Sequence, residues 1–157
     1  MRRFGLPLVT LAALAFAQAA PVQKGIKVLI DGEAVVFTNG QPQSVAGRTL
    51  VPYRAVIEAL GGSAEWNKEL RKITARKDNS TIELTIDEKI GKKNGAEIQM
   101  DVAPVIRNGS TLVPLRFVAE SLDAKVDYDK AKNTISINTG GTPPKPMDDD
   151  DDGDGGR

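Results

Sequence analysis

Gly47-Arg48-Thr49-Leu50-Val51-Pro52-Tyr53-Arg54 returns 62 residues later as Gly109-Ser110-Thr111-Leu112-Val113-Pro114-Leu115-Arg116. The same offset aligns, without a gap, Val56 with Val118, Glu58 with Glu120, Leu60 with Leu122, Trp66 with Tyr128, Lys68 with Lys130 and Ile73 with Ile135. Upstream, Asp31-Gly32 matches Asn94-Gly95, and Pro42 matches Pro104, once one residue of slack is allowed. Self-similarity at a fixed period signals repeated architecture, and it constrains the fold more than any single motif. The chain reads as a tandem duplication, with units of about 26–86 and 88–138.

Local signals within each unit agree. Ile26–Ile30 and Glu33–Phe37 are β-rich runs split by Asp31-Gly32, a strong two-residue hairpin signal. Pro52 suits the first position of a helix, where a missing N–H costs nothing. Tyr53, Val56, Ile57 and Leu60 then recur at helical spacing, and Gly61-Gly62 ends the helix. Ala64–Trp66, Ile73–Arg76 and Thr81–Ile86 follow as strands, the last closing the first unit. The second unit repeats the pattern with Asn94-Gly95 as its turn, a helix over Pro114–Leu122, and strands at Val126–Tyr128 and Thr134–Ile137. The expected class is α+β: two tandem β-rich repeats, each with one short helix, forming one small domain over residues 20–138.

The ends of the chain read differently. Met1-Arg2-Arg3, an apolar stretch from Phe4 to Phe16, and Ala17-Gln18-Ala19 follow the three-part order of a secretory signal peptide, expected over residues 1–19. Gly5 and Pro7 and the shortness of the stretch argue against a retained membrane anchor, so an integral membrane protein is not expected. Residues 139–157 form a Pro/Gly linker and an acidic tail. Pro143-Pro144-Lys145-Pro146 favours an extended spacer, and residues 148–157 carry six Asp against one Arg.

Composition excludes whole classes of function. The chain has no Cys and no His. Disulfides, thiolate nucleophiles, imidazole bases and ordinary transition-metal sites are therefore absent from the reading. Residues 20–147 hold 18 basic and 15 acidic residues with no basic stripe, which gives no footprint for nucleic acid. An enzyme is not expected: no catalytic residue and no phosphate-binding loop stands out.

Three sets of residues invite a functional reading. Arg54 with Glu58, and Arg116 with Glu120, are i,i+4 pairs on equivalent helices. The arginines would make an anion clamp or, more in keeping with their recurrence, a structural tie to Glu and to loop carbonyls. Trp66 and Tyr128 hold equivalent strand positions, either as stacking platforms or, from the alternation around them, as core residues. Asp148, Asp150, Asp152 and Asp154 imitate the first half of a calcium loop. That loop lacks its closing Glu, so a solvated tail with loose affinity for calcium is the expectation.

The doubled stretch Gly47–Arg54 and Ser110-Thr111-Leu112-Val113-Pro114-Leu115-Arg116-Phe117-Val118-Ala119-Glu120 resembles the signature of the copper amine oxidase N-terminal domain-like family, the stalk domain of exported bacterial proteins. The resemblance covers about 26–137 and departs where Arg48 becomes Ser110 and Gly61-Gly62 becomes Asp123-Ala124. It implies a small α+β appendage without activity. In that family, copper and the modified-tyrosine cofactor belong to a separate catalytic domain, and copper is held by histidines. No cofactor and no copper are therefore expected here.

The expected function is that of an exported, non-catalytic binding or structural module of the cell envelope: periplasmic, wall-associated or extracellular. Its candidate partners are a cell-wall polymer or another exported protein. The alternative is a secreted calcium or cation binder acting through the Asp-rich tail.

Overall fold

The structure, a computed structural model, describes residues 25–140. The segment expected as a leader and the acidic tail, with the candidate ligands Asp148, Asp150, Asp152 and Asp154, lie outside the described residues. In chain order the elements begin with β1 (Lys27–Ile30), β2 (Glu33–Ala34), β3 (Gln43–Val45), β4 (Arg48–Pro52), α1 (Tyr53–Ala59), β5 (Ser63–Asn67), β6 (Lys72–Lys77) and β7 (Ser80–Thr85). They continue with β8 (Ile90–Lys93), β9 (Ala96–Gln99), β10 (Val105–Arg107), β11 (Ser110–Pro114), α2 (Leu115–Ser121), β12 (Lys125–Asp129) and β13 (Thr134–Asn138). The fold is β-rich with two short helices, in keeping with the α+β expectation.

Turn chemistry explains the hairpins. Asp31 and Gly32 take φ of 49° and 87°, and Asn94 and Gly95 take 50° and 83°. Two consecutive positive φ values give the turn whose twist matches that of paired strands. β1 thus folds onto β2, and β8 onto β9.

The strands assemble into three sheets ordered β12-β13-β1-β2, β10-β11-β4-β3 and β5-β6-β7-β8-β9. In the first, β1 runs parallel to β13, with Val28 beside Ile135 and Ile30 beside Ile137. The hairpin that opens the described chain is therefore completed by the strands that close it. In the third, β7 lies between β6 and β8, so the hairpin β8-β9 extends the sheet begun by β5 and β6. The middle sheet joins the two halves directly, with β4 antiparallel to β11.

One apolar core runs between these layers. Val28, Val51, Val56, Ile57, Ile73, Ile82 and Leu84 are buried together with Val113, Leu115, Val118, Leu122, Ile135 and Ile137. Burying a Val, Leu or Ile side chain is worth about 1.5–3 kcal/mol, and every sheet contributes to this cluster. A smaller cluster of Leu50, Val102 and Leu112 seals the far face of the middle sheet.

Several expectations need correcting. Pro52 and Pro114 are not the first helical residues. Each ends a strand and caps the following helix from extended backbone, with ψ of 119° and 115°, and without a side-chain cap hydrogen bond. A proline that ends a strand loses no ladder hydrogen bond beyond it, so it can terminate one element and start the next. The run Glu33–Phe37 leaves the ladder after Ala34. Val35 and Phe37 turn inward to the core instead, and only the Val35 N–H still reaches the Val28 carbonyl, at 2.9 Å. β7 does not close a unit of its own, since it pairs onward with β8.

The helix ends follow the glycine logic in one case and break it in the other. After α1, Gly61 at φ 86° lets its N–H reach Glu58 O and the Gly62 N–H reach Ile57 O, the pair of hydrogen bonds that satisfies the last carbonyls of a helix. After α2, Asp123 takes the same role at φ 63°, with bonds from Asp123 N to Glu120 O and from Ala124 N to Ala119 O.

Candidate functional site

The helix α1 starts beside the β1-β2 hairpin, and a groove of about 870 Å³ opens between them. Its floor is Pro52, Tyr53 and Trp66; Arg54 and Glu58 line one wall, and Asn39, Gly40 and Ser110 form the rim. A second groove of about 750 Å³ opens beside α2. Pro114, Leu115 and Tyr128 lie there, with Arg116 and Glu120 on the wall and Arg48 and Asp101 at the rim. Each of these residues stands 62 positions from its counterpart in the first groove. Read from the chain, the Arg–Glu pairs and the aromatics were two separate candidates; the fold brings them into one cleft on each side.

Arg54 and Arg116 sit in the first turn of their helices, and Glu58 and Glu120 lie further along. Both placements oppose the helix dipole, which favours acids at the N-terminus and bases at the C-terminus. Helix stability therefore does not account for them. Their side chains are exposed: Arg116 retains 64% and Glu120 56% of its surface, with Arg116 Nε 3.8 Å from Glu120 Oε1. Arg54 Nη2 donates to the Tyr53 hydroxyl at 3.1 Å, and its guanidinium carbon lies 5.6 Å from the ring centre. That hydrogen bond raises the Arg54 pKa above its ordinary value, and the cation stays available at the groove wall. The contacts recorded for the two guanidinium groups are thus local ones, to Glu120 for Arg116 and to Tyr53 for Arg54.

The aromatics separate. Trp66 is half-buried on β5, packed against the core while lining its groove. Tyr128 is not a core residue: 47% of its surface is exposed, and its hydroxyl donates to Asn133 Oδ1 at 3.0 Å. The alternation that placed both rings on the apolar face is real. However, β5 and β12 are edge strands, and that face is covered only up to the groove.

The rims carry residues that sequence reasoning passed over. Arg48 Nη2 meets Asp101 Oδ2 at 2.8 Å across the second groove. Across the first, the Ser110 hydroxyl donates to the Asn39 carbonyl at 2.8 Å. Residues 48 and 110, and residues 39 and 101, are again 62 apart, so the offset contained the signal. The change from Arg48 to Ser110 replaces an exposed ion pair with a hydroxyl-to-carbonyl hydrogen bond of the same length at the equivalent rim position.

The donor set does not fit copper. The chain has neither His nor Cys, and among the described residues no three Asp or Glu side chains gather as a metal site. No helix among the described residues is long and apolar enough to cross a membrane.

The family model described as copper amine oxidase N-terminal domain matches residues 29–137. A protein of Brevibacillus choshinensis named "Protease inhibitor" is 34% identical over 144 residues, a match covering 81% of this chain and 40% of that relative. The chain therefore spans about two fifths of the relative it matches.

Proposed function

From the premise that the chain belongs to the copper amine oxidase N-terminal domain family, we propose that it is an exported, non-catalytic binding module whose two matched grooves hold segments of another exported protein. The observation that carries this reading is the recurrence, in each groove, of an exposed Arg and Glu beside an aromatic ring. Arginine and aromatic side chains are the ones that most often anchor protein interfaces, and here they line concave sites. The two grooves and the paired residues around them also support descent of the two halves from one duplicated unit.

Of the two candidate partners, a protein is favoured over a wall polymer. The Brevibacillus choshinensis relative is named for an action on a protein, a protease. Both groove walls also carry paired opposite charges suited to peptide backbone and side chains. Export rests on the leader-like residues 1–19, and the finished protein is placed outside the cytoplasm on that ground.

The test uses immobilised protein against two fractions of the source cells, exported soluble proteins and insoluble wall material. A discrete protein retained by the native chain and lost with the double variant Arg54→Ala/Arg116→Ala supports the reading. Saturable binding to wall material alone, or retention unaffected by both substitutions, sinks it.

A further inference from the structure

Val36 is the most exposed large apolar residue among the described residues, with 77% of its surface open. Its surroundings are not those of a loose loop. Val35 and Phe37, on either side, pack against the core. The Val35 N–H donates to Val28 O at 2.9 Å, Gln41 Nε2 donates to Phe37 O at 3.3 Å, and Ser110 Oγ donates to Asn39 O at 2.8 Å. Gly40, at φ 97°, lies so close to Ser110 that an added Cβ would stand 2.5 Å from the hydroxyl oxygen. The segment from Val35 to Gln41 is thus pinned by the core, by its own side chain and by the other half of the molecule. Within it, one aliphatic side chain is pushed outward at the edge of the first groove.

We propose that Val36 is the residue this protein inserts into the primary specificity pocket of an endopeptidase that prefers small aliphatic side chains, so that the pinned loop blocks the protease as a bound, substrate-like segment. This rests on the reading that the module binds another exported protein. Two physical points carry it. An exposed apolar side chain held rigid by its neighbours binds a pocket without an ordering cost, which is how a preorganised loop gains affinity. The size of that side chain also sets the protease class, since endopeptidase primary pockets range from small apolar ones to deep charged ones. The corresponding hairpin position, five residues after Asn94 as Val36 is five after Asp31, is Gln99. A polar residue does not suit such a pocket, so the activity belongs to the first half alone.

Pancreatic elastase is the probe, with trypsin as the contrast, and residual activity is titrated against the purified full chain. The native protein is expected to inhibit elastase and spare trypsin. Val36→Asp is expected to weaken elastase inhibition by about 30-fold or more, the loss typical of a central anchor. Val36→Lys is expected to transfer inhibition to trypsin, and Gln99→Ala to change nothing. Val36 is exposed, so these variants keep the fold, which circular dichroism verifies. The proposal is overturned if the native chain leaves elastase untouched, or if inhibition persists unchanged in the Val36 variants. In the second case protein binding survives and only the loop assignment falls. Loss of groove-dependent capture in the experiment above would instead strike the underlying reading.

Discussion

Val51 faces Val113 across the β4-β11 ladder, and these two residues are the ones that the 62-residue sequence offset equates. Their neighbours pair symmetrically about that point: Leu50 faces Pro114, and Pro52 faces Leu112. The β4-β11 ladder is therefore locally symmetric about Val51 and Val113, so that equivalent positions of the doubled stretch meet in the middle sheet.

Both valines are fully buried, so each should be sensitive to truncation. Val51→Ala and Val113→Ala are each expected to cost about 1–3 kcal/mol. Because the side chains are cross-strand neighbours, the double variant should depart from the sum of the two. Urea unfolding of the four proteins in the cycle measures this. Strict additivity with small single effects would show that the pair does not anchor the interface.

Separation of the halves should abolish both. β1 is completed by β13, and β8-β9 complete a sheet started by β5 and β6, so each half exposes strand edges that only the other fills. Fragments 20–87 and 88–157 are expected to be unfolded alone by near-ultraviolet circular dichroism, and to regain native signal on mixing. A cooperative thermal transition in either isolated fragment would contradict the interleaved architecture.

Asp123 occupies a left-handed helix end where its counterpart is Gly61. Its carboxylate repays the unfavourable φ by accepting from Lys93 Nζ at 2.8 Å and from the Ser80 hydroxyl at 2.9 Å. Asp123→Ala loses both bonds and keeps the strained backbone, whereas Asp123→Gly loses the bonds but relieves the backbone. Thermal denaturation should therefore give the order native, then Gly, then Ala. An alanine variant as stable as the glycine variant would refute the conformational part of this account.

Acid should destabilise the fold through three carboxylates. Hydrogen bonds from the Thr139 hydroxyl and N–H lower the Asp31 pKa from 3.8, the Lys72 ammonium lowers that of Glu83 from 4.5, and Lys93 with Ser80 lowers that of Asp123 from 3.8. A depressed folded-state pKa contributes stability above the unfolded value, and that contribution is lost as pH falls through the folded value. Stability from these groups should be flat above about pH 5 and decline below about pH 4.5. Asp31→Asn should lower stability at neutral pH and make the acid decline shallower. Parallel acid limbs for the two proteins would remove Asp31 from the explanation.

Much of the local structure was legible before the fold. Asp31-Gly32 and Asn94-Gly95 announced their turns because paired positive φ values demand such residues. The spacing of Val56, Ile57 and Leu60 gave a helix because side chains three and four apart share a face. The aspartate at position 123 broke the glycine pattern, and only the structure shows Lys93 and Ser80, distant in sequence, making it tolerable.

The chain by itself determined its 62-residue sequence offset, its α+β class and the absence of imidazole or thiol side chains, since periodicity and composition are properties of a one-dimensional string. Tertiary structure decided which strands share a sheet, because β1 and β13 are joined by hydrogen bonds across more than a hundred residues and no local pattern encodes that register. It also decided that Arg54, Glu58 and Trp66 share one cleft with Asn39 and Ser110, and that Tyr128 lies open to solvent. Burial depends on which element covers an apolar face, and at the edge strands β5 and β12 that cover stops at the grooves.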